Sequence, residues 1–108
     1  MKVGIIRCQQ TEDLCPGTGD FAAVKKKSGA FETLGDCTIV GFVSCGGCPR
    51  SKTIARAQAL MDRGAQAIAL ATCITKGNPD GFPCPNRDSI LQALRKKCKE
   101  VPVLEYTH

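Results

Sequence analysis

Thr38-Ile39-Val40-Gly41-Phe42-Val43-Ser44 runs directly into Cys45-Gly46-Gly47-Cys48-Pro49. The first seven residues read as a strand with little polar interruption, which suits a strand covered on both faces, as in a parallel sheet. The two glycines allow a tight turn and close backbone approach, and Pro49 suits the first turn of a helix. A helical spacing follows from about Arg50 to Arg63, with Ile54, Ala57 and Met61 in phase, Leu60 beside them and Gly64 as the stop. Residues 67–72, Ala-Ile-Ala-Leu-Ala-Thr, then make another apolar strand that runs into Cys73. Strand, crossover helix and strand together are the unit of a parallel sheet.

Reading outward from that unit extends the alternation in both directions. Residues 2–8 form an apolar first strand ending at Cys8. Residues 9–19 are a polar loop with Cys15-Pro16-Gly17, and Asp20 is expected to cap a helix from Phe21 toward Ser28, with Phe21 and Val24 on its buried side and Gly29 as its stop. Residues 30–37 connect to the second strand. After Cys73 comes a Gly- and Pro-rich loop that includes Asp80, Cys84 and Pro85. Asn86 or Asp88 is expected to cap a third helix, on which Ile90, Leu91, Leu94 and Cys98 share a face. Residues 101–107 are the fourth strand, and His108 follows it. The order β-α-β-α-β-α-β predicts an α/β fold: a four-stranded parallel sheet with helices on both faces, a Rossmann-like or flavodoxin-like half. The expected strand order is 2-1-3-4, within one domain spanning residues 1–108.

The totals narrow the function classes. Apolar residues make up 43% and charged residues 23%, a soluble globular balance. No apolar run is long enough for a membrane span, and the first residues are too strand-like for a signal peptide, so a cytoplasmic protein is expected. Eight cysteines in 108 residues is a high count. A secreted disulfide scaffold would lack such helix and strand patterns, which leaves metal binding or thiol redox chemistry. The net charge of +5 gathers in Lys25-Lys26-Lys27 and around Arg95-Lys96-Lys97. Such runs read as solvated last-turn residues suited to the helix dipole. No aromatic residues interleave them for base stacking, which weighs against nucleic acid.

Parallel strands bring their C-terminal ends to one rim, where ligands of open α/β sheets bind. Cys8, Cys45, Cys48 and Cys73 fall at strand ends, Cys15 and Cys84 in loops on the same rim, and His108 at the end of the fourth strand. Cys37 and Cys98 belong to the opposite rim and read as small buried apolar residues. Cys45 and Cys48 precede a helix N-terminus, whose potential favours thiolate. Thiolate serves both zinc ligation and nucleophilic attack. Zinc takes four ligands from such donors, and the seven candidates exceed that need. Four thiolates also hold an iron–sulfur cluster, but no simple ferredoxin spacing is present, so a cluster ranks below zinc. Asp20, Asp80 and Glu105 read as isolated carboxylates: a cap, a turn residue and a strand residue.

The ordered set of motifs resembles the CGGC-domain family. It comprises Gly4-Ile5-Ile6-Arg7-Cys8, Cys15-Pro16-Gly17, Cys45-Gly46-Gly47-Cys48-Pro49, Ala71-Thr72-Cys73-Ile74, Cys84-Pro85 and Glu105-Tyr106-Thr107-His108, and it covers essentially the whole chain. The resemblance implies a small prokaryotic domain with a zinc-binding Cys/His set, here Cys8, Cys15, Cys45, Cys48, Cys73, Cys84 and His108. It also implies a further cysteine soon after Cys15-Pro16-Gly17; here the segment reads Gly17-Thr18-Gly19-Asp20-Phe21, so that ligand position is either lost or replaced by Asp20. It names no reaction. Two functions are therefore weighed: a metal-binding domain, zinc first, and a thiol–disulfide redox protein. The second would use Cys45 and Cys48, with Cys8, Cys73 or Cys84 as resolving thiols and a small-molecule or protein thiol as partner.

Overall fold

A computed structural model describes residues 1–9, 16–47, 52–75 and 84–108. Four strands, β1 Lys2–Arg7, β2 Thr38–Ser44, β3 Ala67–Leu70 and β4 Val103–Leu104, form one sheet in the order β2-β1-β3-β4. Every pairing is parallel, so the expected architecture and strand order both hold. Between Lys2 and Arg7 of β1, and along the whole of β3, no polar side chain interrupts the inner strands, because both of their faces are covered. Val3, Ile5 and Ile6 of β1 and all four residues of β3 are fully buried.

Two neighbouring pairs of residues show what covers each face. Gly4 of β1 and Gly41 of β2 stand opposite each other, and helix α2, Thr53–Asp62, lays Leu60 over both. The next pair, Ile5 and Phe42, points to the other face. There Phe42 stacks against Phe21 of helix α1, Thr18–Lys26, with ring centroids 5.0 Å apart. Helices thus lie on both faces. Helix α4, Arg87–Lys97, packs beside α2.

The glycines under Leu60 are sites of close approach. A Cβ at Gly4 would stand 2.9 Å from the Leu60 Cβ, an atom that no rotamer change can move away. At Gly41 the clash, at 2.2 Å, is with the Leu60 Cδ2 alone, which can rotate. Gly4→Ala is therefore expected to cost about 1–3 kcal/mol, the range for overpacking, and Gly41→Ala less. Urea melts of the two variants check this, and equal losses would count against the placement of α2.

Several local expectations are corrected. Helix α1 begins at Thr18, not Phe21; Gly17 takes the left-handed conformation before it (φ 87°), and Asp20 is a buried first-turn residue rather than the cap. Phe21 is 46% exposed, because it covers Phe42 from outside, and Ala23 and Val24 take the buried side. The helix stops at Lys27, which adopts φ 56°, before Gly29 is reached. The connection after it contains a 3-10 turn, Gly29–Phe31, that buries Phe31 completely. Strand β3 ends at Leu70; the Ala71 N–H still donates to the Ile6 oxygen, and the chain then winds into a one-turn helix α3, Thr72–Thr75. Strand β4 is shorter than residues 101–107. Asn86 precedes α4 without a side-chain capping bond, and Glu105, expected to be isolated, pairs with Arg95. Asp80 lies outside the described residues. Among those residues no helix is long and apolar enough to cross a membrane.

Cys37 precedes β2 and Cys98 follows α4, so both sit away from the C-terminal strand ends, as expected. Burial pushes the Cys98 thiol pKa up, with the Lys97 ammonium partly opposing the shift. The native state thus holds this proton more tightly than the unfolded chain does. Its stabilising effect is complete below the unfolded thiol value and is lost as pH rises through the higher folded value. Cys98→Ala is expected to flatten the alkaline decline of stability, seen as a smaller change in urea midpoint between neutral pH and pH about 10.

Candidate functional site

The sheet brings Cys8, Cys45 and Cys73 to the ends of three adjacent strands. Cys8 directly follows β1, the middle one of the three. On one side, the Cys45 N–H donates to the Arg7 oxygen at 2.7 Å and carries the β1–β2 ladder one residue past β2. On the other side, the Cys8 N–H donates to the Cys73 Sγ at 3.2 Å. Cys84 joins the same region from across the loop after α3, its N–H donating to the Ile74 oxygen at 2.7 Å. Cys45 and Cys73 are buried, Cys8 and Cys84 half-buried.

The turn after Cys45 is built for close packing. Gly46 and Gly47 both have positive φ, 88° and 97°, where a side chain would be strained. A Cβ on Gly46 would also stand 2.9 Å from the Lys52 side chain. The Lys52 N–H returns to the Cys45 oxygen at 2.6 Å and ties the start of α2 to the end of β2. Arg56 of α2 reaches back with one guanidinium nitrogen, Nη1, to the Ser44 oxygen and hydroxyl, both at 2.9 Å. Arg7, itself buried, lies over the Phe42 ring at 5.8 Å. Two guanidinium groups therefore flank the strand ends that carry Cys8 and Cys45.

His108 arrives at this rim beside β3. The Thr72 hydroxyl accepts from the His108 N–H and donates to the His108 main-chain oxygen, both at 2.9 Å. Thr107, fully buried, donates its hydroxyl to the Asp20 carboxylate. The His108 Nε2 lies 3.6 Å from the same carboxylate oxygen. Of the seven candidate ligands, the structure sets the Cys73 sulfur on the Cys8 backbone N–H, sets Cys45 and Cys84 nearby through the backbone, and seats His108 against α1. Cys15 and Cys48 lie outside the described residues. Among those residues no group of three or more Cys, His, Asp or Glu side chains stands close enough to hold a metal ion.

A family model for the CGGC domain matches residues 2–108. The chain belongs to the CGGC-domain family. It is also 40% identical over 116 aligned positions to an uncharacterised protein of Methanocaldococcus jannaschii, an alignment covering 100% of this chain and 87% of that one. No solved structure matches the chain. The name-giving tetrapeptide of this CGGC domain thus begins with the buried Cys45 directly after β2, and its two glycines take left-handed φ values.

Sequence reasoning missed Thr72, Thr107, Arg56 and the true place of Asp20. A signal for the first two was present. Thr72-Cys73 and Thr107-His108 repeat one arrangement, a threonine directly before a candidate ligand, at the ends of two strands that prove to be neighbours. Nothing comparable marks Arg56, whose partner Ser44 lies across the crossover connection.

Proposed function

We propose that this rim binds a soft metal ion through cysteine thiolates, zinc before an iron–sulfur cluster, with ligands drawn from Cys8, Cys15, Cys45, Cys48, Cys73, Cys84 and His108. The observation that supports it is the gathering of Cys8, Cys45 and Cys73 at three adjacent strand ends, with the Cys8 N–H on the Cys73 sulfur. Thiolate donors with an imidazole select zinc or iron–sulfur chemistry over hard cations. A bound zinc would supply a structural brace or, with an open position, a Lewis acid. The residues of the chain bring thiols to the strand ends, set the Arg7 and Arg56 guanidinium groups near them and exclude water from Cys45 and Cys73.

The placing of Cys8 and Cys73 at adjacent strand ends, with the Cys73 sulfur on the Cys8 backbone N–H, also favours a second reading, a thiol–disulfide couple on this rim with a small-molecule or protein thiol as partner. Elemental analysis of protein purified without oxygen, with a thiol count, separates the two. Stoichiometric zinc that survives mild reductant, leaves with chelator and binds more tightly as pH rises supports the metal reading, since ligation releases thiol protons. Metal-free protein with a reversible two-electron thiol couple near the cellular poise overturns it in favour of redox chemistry.

A further inference from the structure

His108 is the one histidine of the chain, and its surroundings hold both its backbone and its ring. The backbone is clamped by Thr72, as described above, and by the first residues after α1: the Ala30 N–H donates to the Thr107 oxygen at 3.2 Å. No Cβ fits at Gly29, where it would stand 2.3 Å from that same Thr107 oxygen. The ring lies on Gly19, where a Cβ would meet Nε2 at 2.7 Å, Cε1 at 3.0 Å and Cδ2 at 3.2 Å. The Nε2 edge therefore faces α1. On that edge stands Asp20, 4% exposed, accepting the Thr107 hydroxyl and lying 3.6 Å from Nε2. Burying a carboxylate is costly unless it is satisfied, and here one buried oxygen is shared between the residue preceding the histidine and the histidine itself.

We propose that Asp20 is a positioning residue that keeps the His108 proton on Nε2 and leaves Nδ1 as the nitrogen with a lone pair. A negative oxygen beside Nε2 favours a proton there. Metal-ligating histidines are oriented in this way by a carboxylate on their second nitrogen. The role assigned to Nδ1 rests on the metal reading of the rim; the orientation of the ring by Asp20 does not. Asp20 thus holds a ligand rather than serving as one, although the family resemblance placed a ligand position near it.

Because the chain has a single histidine, its imidazole 15N resonances are unambiguous. The test is the tautomer in metal-free, reduced wild-type protein, at a pH where the ring is neutral, and again in Asp20→Asn, followed by zinc affinity measured against a competing chelator. The expected results are an Nε2–H tautomer in the wild type, a shift toward Nδ1–H in Asp20→Asn, and zinc binding weakened about tenfold, the lower end for such partners. An Nδ1–H tautomer in the wild type overturns the proposal without recourse to any variant. So does a tautomer unchanged in folded Asp20→Asn. If the wild type binds no zinc, the metal reading fails by itself, and the tautomer measurements still decide the role of Asp20.

Discussion

If the rim binds zinc as proposed, Cys45→Ala is expected to strip the anaerobically purified protein of it, while Cys98→Ala keeps it. The two thiols make a matched pair. Each is 4% exposed and belongs to the same apolar core, so each truncation should cost a similar amount of stability, on the order of 1 kcal/mol for a partly collapsed cavity. What differs is position. Cys45 follows β2 on the rim where Cys8 and Cys73 meet, whereas Cys98 caps the end of α4 away from it. Zinc per chain by elemental analysis, measured beside urea melts, reads both effects. Equal metal loss from the two variants would refute the division into a ligand rim and a structural rim, and equal retention would remove Cys45 from the ligand set.

The sheet was legible because the first three strands are near-continuous apolar runs that lead into a cysteine. Parallel topology followed from the helical pattern between the runs. Even the strand order was within reach, since right-handed crossovers leave few arrangements of four such strands. The ends of elements were not legible, and the reasons are local. Asp20 looks like a helix cap, but the helix starts two residues before it, and its carboxylate is taken by Thr107 from the far end of the chain. Phe21 looks like a core residue, yet its partner is the outer face of Phe42, and half of it stays exposed. Residues 71–75 extend the apolar pattern of β3 but wind into a helical turn once the Ala71 N–H has made the last ladder bond to Ile6. The cysteines could be sorted to two rims from topology alone. The seating of His108 could not, because it depends on contacts between residues 35 and 87 positions apart.

These corrections bear on the chemistry. Ending β3 early places Cys73 in the first turn of α3, and from there its sulfur reaches the N–H of Cys8. Had the strand continued to Thr72, successive side chains would have alternated between faces, and the direction of the Cys73 side chain would have been fixed by the pleat. The same turn frees Thr72 to stand under residues 107 and 108. Thiol and histidine are thus held by adjacent residues of one short element, so a disturbance at Thr72 is felt on both sides.

Thr72→Val is accordingly expected to be the most destabilising single substitution at this rim, costing about 3 kcal/mol. Threonine and valine have nearly the same shape, so packing is conserved and the hydroxyl alone is lost. That hydroxyl is fully buried. It accepts from the His108 N–H at 2.9 Å and the Thr107 N–H at 3.3 Å, donates to the His108 oxygen at 2.9 Å, and touches the Thr107 hydroxyl at 3.1 Å. Valine leaves these groups facing hydrocarbon, and an unsatisfied buried polar group costs about 1–3 kcal/mol. Thr72→Ser keeps the oxygen and removes one methyl, for a loss of about 1 kcal/mol. Urea melts of the two variants give the comparison, and hydrogen exchange at residues 107 and 108 reports whether the segment has come loose. Zinc affinity should fall in Thr72→Val and survive in Thr72→Ser, because only the first unseats His108. Equal destabilisation by valine and serine would show that the methyl packing of Thr72, rather than its hydroxyl, holds this end of the chain in place.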